Sequence, residues 1–600
     1  MKTKFRTLNK LTVFFFIMLM LSLILSGCTS GKKAVKPVQI SKGNFELAAQ
    51  ELDKYITAKM KSEKVIGFSI AVVSDDKIVF SKGYGYADKE NKIPVTTETI
   101  FRMGSISKLF TATSIMQLSE QGKLDIDKPL NTYLKDFSIK TRYKNTDPIT
   151  PRNILTHHSG LPSDRIKDMK SNNPISYKDL IIELQEQYTA YPPNFIFSYS
   201  NMGISLLGKL VEVVSGNDFI SYVDKNILSP MDMKNSSFEL KEHMKKINSK
   251  GYINKKPVKQ YKTYAVPAGL LYSNADDMSK FIITILNQGE YNGKKVIKPG
   301  TLQEMFTQQN ETIELDYGYK MGLGWFFDDS FDYAGRIYMH DGAWDDYRAN
   351  LNILPKYKLG IIAMTNSPEG TMLVYSAVEK AMELFLMAKA GLEKPDEPKV
   401  KPPAAESIYY SKADIKKFAG LYIMHPSYGG LKIIEKKGKL FLSVDKIKIE
   451  LVPQDDGWFS MTLVLLKIFK QKLPRSGELC FKEINGKMAL LQRRPGIEII
   501  VGFKFDPVPI PEAWKKRVGD YEVLNLDPEE VMMEDVKEMF EIYLKDDFIM
   551  FGGGNPINPI SDSEGIVAGW GRNKGDTLKF IKRNGEEILL YTGLELKKKK

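Results

Sequence analysis

Cysteine and histidine are scarce in this chain. Among 600 residues only Cys28 and Cys480 are cysteines, and only His157, His158, His243, His340 and His425 are histidines. Two cysteines make no disulfide framework, so the domains have to be held by their cores. No histidine stands at metal-ligand spacing and Cys480 has no second thiolate near it in sequence, so neither a metal nor another cofactor is expected. The Gly-x-Ser-x-Gly elbow, the P-loop and the Gly-x-Gly-x-x-Gly fingerprint are missing too. Arginine–aromatic arrays are absent, which makes nucleic acid a poor partner for the net charge of +13. Solubility, or attraction to anionic lipid or wall polymer, explains that charge better. Beyond residue 25 no stretch is long and apolar enough to span a bilayer.

What is present begins with a leader. Lys2, Lys4, Arg6 and Lys10 precede an apolar run from Leu11 to Leu25, the pattern of a secretion signal rather than of a spanning helix. The run ends in Leu25-Ser-Gly-Cys28, which resembles the lipobox of bacterial lipoproteins. That resemblance implies removal of residues 1–27, a lipid on Cys28, and a protein anchored at the extracytoplasmic face of the cell membrane. Cys28 would then be unavailable to Cys480. Loss of the four leader charges leaves +9 of the +13.

Six hundred residues exceed what one core can organise, so two to four domains are expected. Residues 28–44 read as a polar, lysine-rich tether. Residues 45–390 open with a helix (45–61) and a hairpin (67–73 and 77–86), continue through a helical, loop-rich region, and return to strands at 322–327, 337–340, 348–354 and 359–365. A long helix, 372–388, closes the segment. The order predicts an α+β domain: one antiparallel sheet covered by helices, with a helical lobe beside it and a cleft between. Residues 391–411 are rich in proline and charge and read as a linker. The rest alternates in short strands, with a weak internal repeat: Ile415-Lys-Lys-Phe-Ala-Gly-Leu-Tyr422 against Trp514-Lys-Lys-Arg-Val-Gly-Asp-Tyr521. Two all-β barrel-like modules, 412–506 and 507–600, follow from it.

Chemistry concentrates at Phe101-Arg-Met-Gly-Ser-Ile-Ser-Lys-Leu-Phe110. Ser105 opens a predicted amphipathic helix that Gly122 stops, and Lys108 falls on the same face one turn on. A serine needs a neighbouring base to act as a nucleophile, and a buried amine with a depressed pKa can serve. Ser30/Lys33, Ser74/Lys77 and Ser443/Lys446 share the spacing but sit in tether, turn and strand contexts. Tyr199-Ser-Asn201 precedes another helix. A phenol beside an ammonium can be held as phenolate and act as base, while Asn201 can accept from Lys108 and donate to a substrate carbonyl. His340-Asp-Gly342 ends a strand. There Gly342 lets a substrate backbone approach, and the Ala343 amide can join that of Ser105 as a two-donor oxyanion hole. His340 can bind a carboxylate or assist proton transfer.

Together these motifs resemble the penicillin-recognising serine hydrolases: class C-type β-lactamases, D,D-carboxypeptidases, D-aminopeptidases and related esterases. The similarity includes Gly122–Leu130, Leu155–Pro162, Tyr199–Gly203, Gly269–Ser273 and Gly322–Trp325. It implies Ser105 as nucleophile, Lys108 and Tyr199 as proton handlers, and Asn201 as the residue that positions the substrate amide. A histidine in the third motif is similar to D-aminopeptidases and esterases, and Asp345 and Asp346 just after it are expected to repel anions or attract an amine. In the D-aminopeptidase group a barrel loop reaches the active-site mouth, and Gly552-Gly-Gly-Asn-Pro556 is the candidate for such a loop here. The expected activity is acyl-enzyme hydrolysis of peptides, amides or esters, with D-residue substrates first. The alternatives are a penicillin-binding sensor or scaffold that acylates without turnover, and an assembly lipoprotein with an inert core.

Overall fold

The structure, a computed structural model, describes residues 38–395, 410–424, 429–444, 447–465, 469–472, 477–494, 497–526 and 540–600. The leader, Cys28, most of the tether and positions 396–409 of the linker lie outside the described residues.

A seven-stranded antiparallel sheet organises the first domain. Its strands are β1 (Gly67–Ser74), β2 (Lys77–Asp88), β3 (Ile93–Pro94), β4 (Phe326–Asp328), β5 (Ile337–Ala343), β6 (Arg348–Leu354) and β7 (Leu359–Thr365). The spatial order is β4-β5-β6-β7-β1-β2-β3. The last strand in sequence therefore pairs with the first, in the register Phe68↔Thr365 to Ser74↔Leu359. Every residue of β1 and β7 is buried, which is why they read as unbroken apolar runs: both faces of the sheet are covered. One face carries helices α1 (Phe45–Glu63) and α5 (Thr371–Ala390), whose Leu52, Ile56, Val374 and Phe385 pack on Phe68, Ile70 and Ile361. Against the other face lie α2 (Ser107–Glu120), α4 (Ala275–Leu286) and the helical lobe containing α3 (Asn201–Ser215).

Two local expectations change. The extended run predicted from Gly322 begins only at Phe326, because Gly324 takes a positive φ of 82° and its amide bonds to the Leu155 carbonyl instead of a strand. Helix α2 starts at Ser107, with Ser105 and Ile106 in the preceding turn, and it is buried on all sides from Ser107 to Leu118 rather than along one stripe. Its polar residues find carbonyls: Thr111 donates to Pro267 O (2.7 Å), and Gln117 to Val296 O (2.5 Å) and Asn226 O (3.0 Å). A polar side chain whose donors are satisfied can be buried at lower cost, so periodicity understated how central this helix is.

Both C-terminal modules close into eight-strand barrels. In the first, Gly420–Met424 pairs with Ile497–Phe505 and Ile447–Pro453 with Phe459–Leu465, while Phe469–Lys472 hangs on the outside. In the second, Gly519–Val523 pairs with Leu594–Lys598 to complete the ring. The weak repeat marks matching positions in the two. Tyr422 donates to the carbonyl of Phe418, and Tyr521 to that of Arg517, each at 2.9 Å and four residues back. Lys504 and Lys598 donate to Lys417 O (2.8 Å) and Lys516 O (2.9 Å), their stems lying against Gly420 and Gly519.

Candidate active site

The turn bearing Ser105 is clamped from two sides. On one, Phe101 and Arg102 pair with Ser273 and Tyr272, Met103 N–H donates to Leu271 O (2.8 Å), and Leu271 N–H donates to Ser107 Oγ (2.9 Å). On the other, the end of β5 presses on the turn. A Cβ at Gly342 would stand 1.9 Å from Met103 O, and one at Gly104 (φ 53°) 2.7 Å from Ala343 N. Only glycine fits at either position. The close approach that Gly342 permits is thus to the chain's own Met103, not to a substrate backbone, and it brings Ala343 alongside Gly104 and Ser105. Between Phe101 and Leu118, Ser105 is the one residue not buried. The fold buries its neighbours and leaves Ser105 partly exposed.

Lys108 is 1% exposed. Its Nζ lies 2.6 Å from Ala268 O, 2.7 Å from Asn201 Oδ1 and 3.1 Å from Ser105 Oγ. Burial drives the amine well below its ordinary pKa, and the positive charge of Arg572 adds to the effect. A neutral amine has two N–H groups and one lone pair. The two oxygens that can only accept take the N–H groups, so the lone pair faces Ser105, whose Oγ–H donates to it.

Tyr199 and Asn201 arrive on the loop that leads into α3. Ser200 caps that helix, accepting from Gly203 N–H (2.9 Å) and donating to Pro162 O (2.6 Å). The Tyr199 ring lies between His157, at 4.2 Å centroid to centroid, and Lys108, whose Nζ is 4.8 Å from its centre. The phenol is hydrogen-bonded to Ser105. Burial pushes its pKa up, only partly offset by Arg572 and the Ser105 bond, so it stays a neutral phenol. This differs from the phenolate expected of a tyrosine beside an ammonium. Desolvation disfavours the charged form of the lysine as well, which weakens the ammonium that would stabilise a phenolate. Burial likewise holds the His157 pKa well below its ordinary value, and its Nδ1 accepts from Ser200 N–H (3.1 Å).

His340, 1% exposed, donates from Nδ1 to the Asp341 carbonyl (2.6 Å) and meets the Phe326 ring edge-on. Burial lowers its pKa, so it offers a substrate carboxylate no charge. Nor do the two aspartates after the motif stand free at the mouth. Asp345 is paired with Lys170, and Asp346 is buried and bonded to Gln260.

Two residues in the site had no sequence signal of their own. Asp164 follows the Leu155–Pro162 motif and accepts from Asn201 Nδ2 at 2.6 Å. A carboxylate only accepts, so it fixes the amide with its oxygen toward Lys108 and commits one of the N–H groups that had been assigned to substrate. On its other oxygen Asp164 binds Arg572 (2.9 Å), a residue of the second barrel whose guanidinium carbon lies 4.8 Å from the centre of the Tyr199 ring. The barrel segment that reaches the site is therefore 568–576, not Gly552–Pro556. The latter serves as a support, with Asn555 accepting from Lys574.

The sequence model of the family described as Beta-lactamase matches residues 52–380, more than half of the chain. The chain belongs to the beta-lactamase family. Among its relatives, Beta-lactamase-like protein 2 of Dictyostelium discoideum is 27% identical over 463 residues, 73% of this chain and 82% of that protein. Protein flp of Staphylococcus aureus (strain N315) is 24% identical over 325 residues, 53% of this chain and 63% of the other. Of solved structures, SurE with D-Leu superposes with a TM-score of 0.52 and 21% identity, covering 76% of this chain and all of that one. That likeness is one of fold. Members of the beta-lactamase family are in general serine hydrolases, and this one carries the β-lactamase-like α+β domain followed by two barrels.

Proposed function

We propose that this beta-lactamase-family protein is a lipid-anchored serine hydrolase that cleaves amide or ester bonds through an acyl-enzyme. Its substrates are peptides or amides containing D-residues. The carrying observation is the placement of Lys108 Nζ, 2.6 Å from Ala268 O, 2.7 Å from Asn201 Oδ1 and 3.1 Å from Ser105 Oγ, so that in its neutral form the two carbonyls take the N–H groups and the lone pair is left for Ser105. Ser105 Oγ attacks the carbonyl as its proton passes to the Lys108 amine. The oxyanion forms between the Ser105 and Ala343 amides. On collapse the Tyr199 phenol, resupplied from Lys108, protonates the leaving amine or alcohol, and the Ser105 ester remains. Water, deprotonated by the same pair, then releases the acid.

The D-residue reading draws on the histidine of the third motif and on the fold shared with a protein solved with D-leucine. Membrane attachment draws on the Cys28 motif alone, and Cys28→Ser should abolish incorporation of a labelled fatty acid. Intact-mass spectrometry after exposure to D-amino-acid amides, small esters and β-lactams tests the activity. The expected result is an adduct on the Ser105 peptide that decays with D-amides and is absent in Ser105→Ala. An adduct elsewhere, or none with any class, overturns the reading; one that persists with every substrate makes the protein an acylated sensor rather than a hydrolase.

A further inference from the structure

The second barrel is seated on the segments that carry Tyr199 and Asn201. Tyr191 donates to the carbonyls of Gly569 (3.3 Å) and Gly571 (3.2 Å), Ser198 donates to Gly571 O (3.3 Å), and Asn573 N–H donates to Ser163 Oγ (2.9 Å). Trp570 stacks on Tyr191 at 5.9 Å between centroids. A Cβ at Gly575 would lie 2.7 Å from that of Ala190, so the two backbones touch directly. Contact this close places Arg572 on Asp164 at 2.9 Å and over the Tyr199 ring at 4.8 Å.

We propose that Arg572 is a positioning residue for the chemistry at Ser105, supplied across the domain interface: through Asp164 it fixes the Asn201 amide, and over the ring it holds Tyr199 in place. The proposal rests on Ser105 being the nucleophile. A guanidinium suits both tasks, because its plane can lie on an aromatic face while its edge donates to a carboxylate. Of the charged groups that Lys108 faces, Arg572 disfavours its protonation, and Asp164 and Asp341 favour it; the uncharged His340, His157 and Tyr199 complete the surround. Removing Arg572 therefore leaves the two carboxylates less opposed and makes Lys108 harder to deprotonate.

The test uses the full-length chain and the pH dependence of Ser105 phosphonylation by a fluorophosphonate, in which Oγ attacks phosphorus and fluoride leaves, read by intact mass and peptide mapping. Phosphonylation of the wild-type chain at Ser105 establishes the nucleophile independently. Arg572→Gln is expected to slow this reaction about tenfold to a hundredfold, the scale of one charge-assisted bond. It should also shift the acid limb of the profile to higher pH. Arg572→Lys should restore the limb while recovering only part of the rate. Asp164→Asn should move the limb the opposite way. Arg142→Gln, which breaks other contacts of the same interface, with Glu564 and Thr577, should leave the limb where it is. A limb that stays fixed in Arg572→Gln overturns the proposal. So does a limb displaced equally by Arg142→Gln, or an Arg572→Lys variant no better than Gln.

Discussion

Replacing Lys108 by methionine separates the chemistry of the site from its stability. The side chains are similar in length, and Lys108 is buried, so methionine can occupy the same channel. Two acceptors lose their donor, Ala268 O and Asn201 Oδ1. An orphaned buried acceptor costs about 1–3 kcal/mol, while the desolvation of the amine is no longer incurred. The net change in stability at neutral pH should stay within about 2 kcal/mol of wild type. The base, by contrast, is lost outright, and a positioned base contributes roughly 10²–10⁴-fold, or about 3–5 kcal/mol. The two effects also part with pH. An amine kept neutral in the folded chain and protonated in the unfolded one makes wild type less stable as pH falls from 10.5 toward its lowered folded pKa. The variant lacks that dependence, so the stability difference should move in its favour toward acid. Acylation kinetics by intact mass, together with urea unfolding at several pH values, read both quantities. A folded Lys108→Met variant that acylates within tenfold of wild type would falsify the assignment of the base.

Asp576 is buried beside Asp164 and its pKa is raised by burial to about 7, so the native state holds a proton that the unfolded chain releases above about 4. Stability therefore falls as pH climbs from about 4 to 7. Asp576→Asn should remove the fall, raising the second-barrel transition by on the order of 2–4 kcal/mol at pH 8 and hardly at all at pH 4, by calorimetry. Equal gains at both pH values would show that its carboxyl is ionised when folded. Gly342→Val would drive its side chain into Met103 O and part β5 from the nucleophile turn. Acylation should vanish while far-ultraviolet dichroism is retained, and a variant with near-normal acylation would refute that packing. Tyr422→Phe and Tyr521→Phe each delete one hydroxyl bond to the carbonyl four residues back, and each should cost about 1 kcal/mol in its own barrel. Markedly unequal losses in urea titrations would argue against equivalent roles.

The parts of the site legible in the sequence are those whose chemistry is local. Ser105 and Lys108 are a helical turn apart, Tyr199 and Asn201 flank a helix cap, and the strand predicted at 337–340 is there, although it runs on through Gly342 to Ala343. The sheet was legible for a related reason: strands covered on both faces leave runs such as Leu359–Thr365 with no polar interruption. Solvation was harder to read. Nothing in Asp345-Asp346 shows that Lys170 and Gln260 neutralise them, nor does Tyr199 announce that burial keeps it protonated. Least visible was Arg572, whose partner Asp164 precedes it by 408 residues. A glycine-rich turn at 552 looked like the better candidate because composition reports flexibility, whereas reach depends on how the barrel is seated.

That long separation also sets an order of events in the life of each molecule. At about 5–20 residues per second, a ribosome needs on the order of 20–80 seconds to travel from Asp164 to Arg572. The serine, its amine and its phenol are all made well before the arginine on Asp164. If Arg572 has the positioning role proposed for it, a nascent chain has Ser105 without that residue, and full reactivity is deferred until the second barrel has closed and docked.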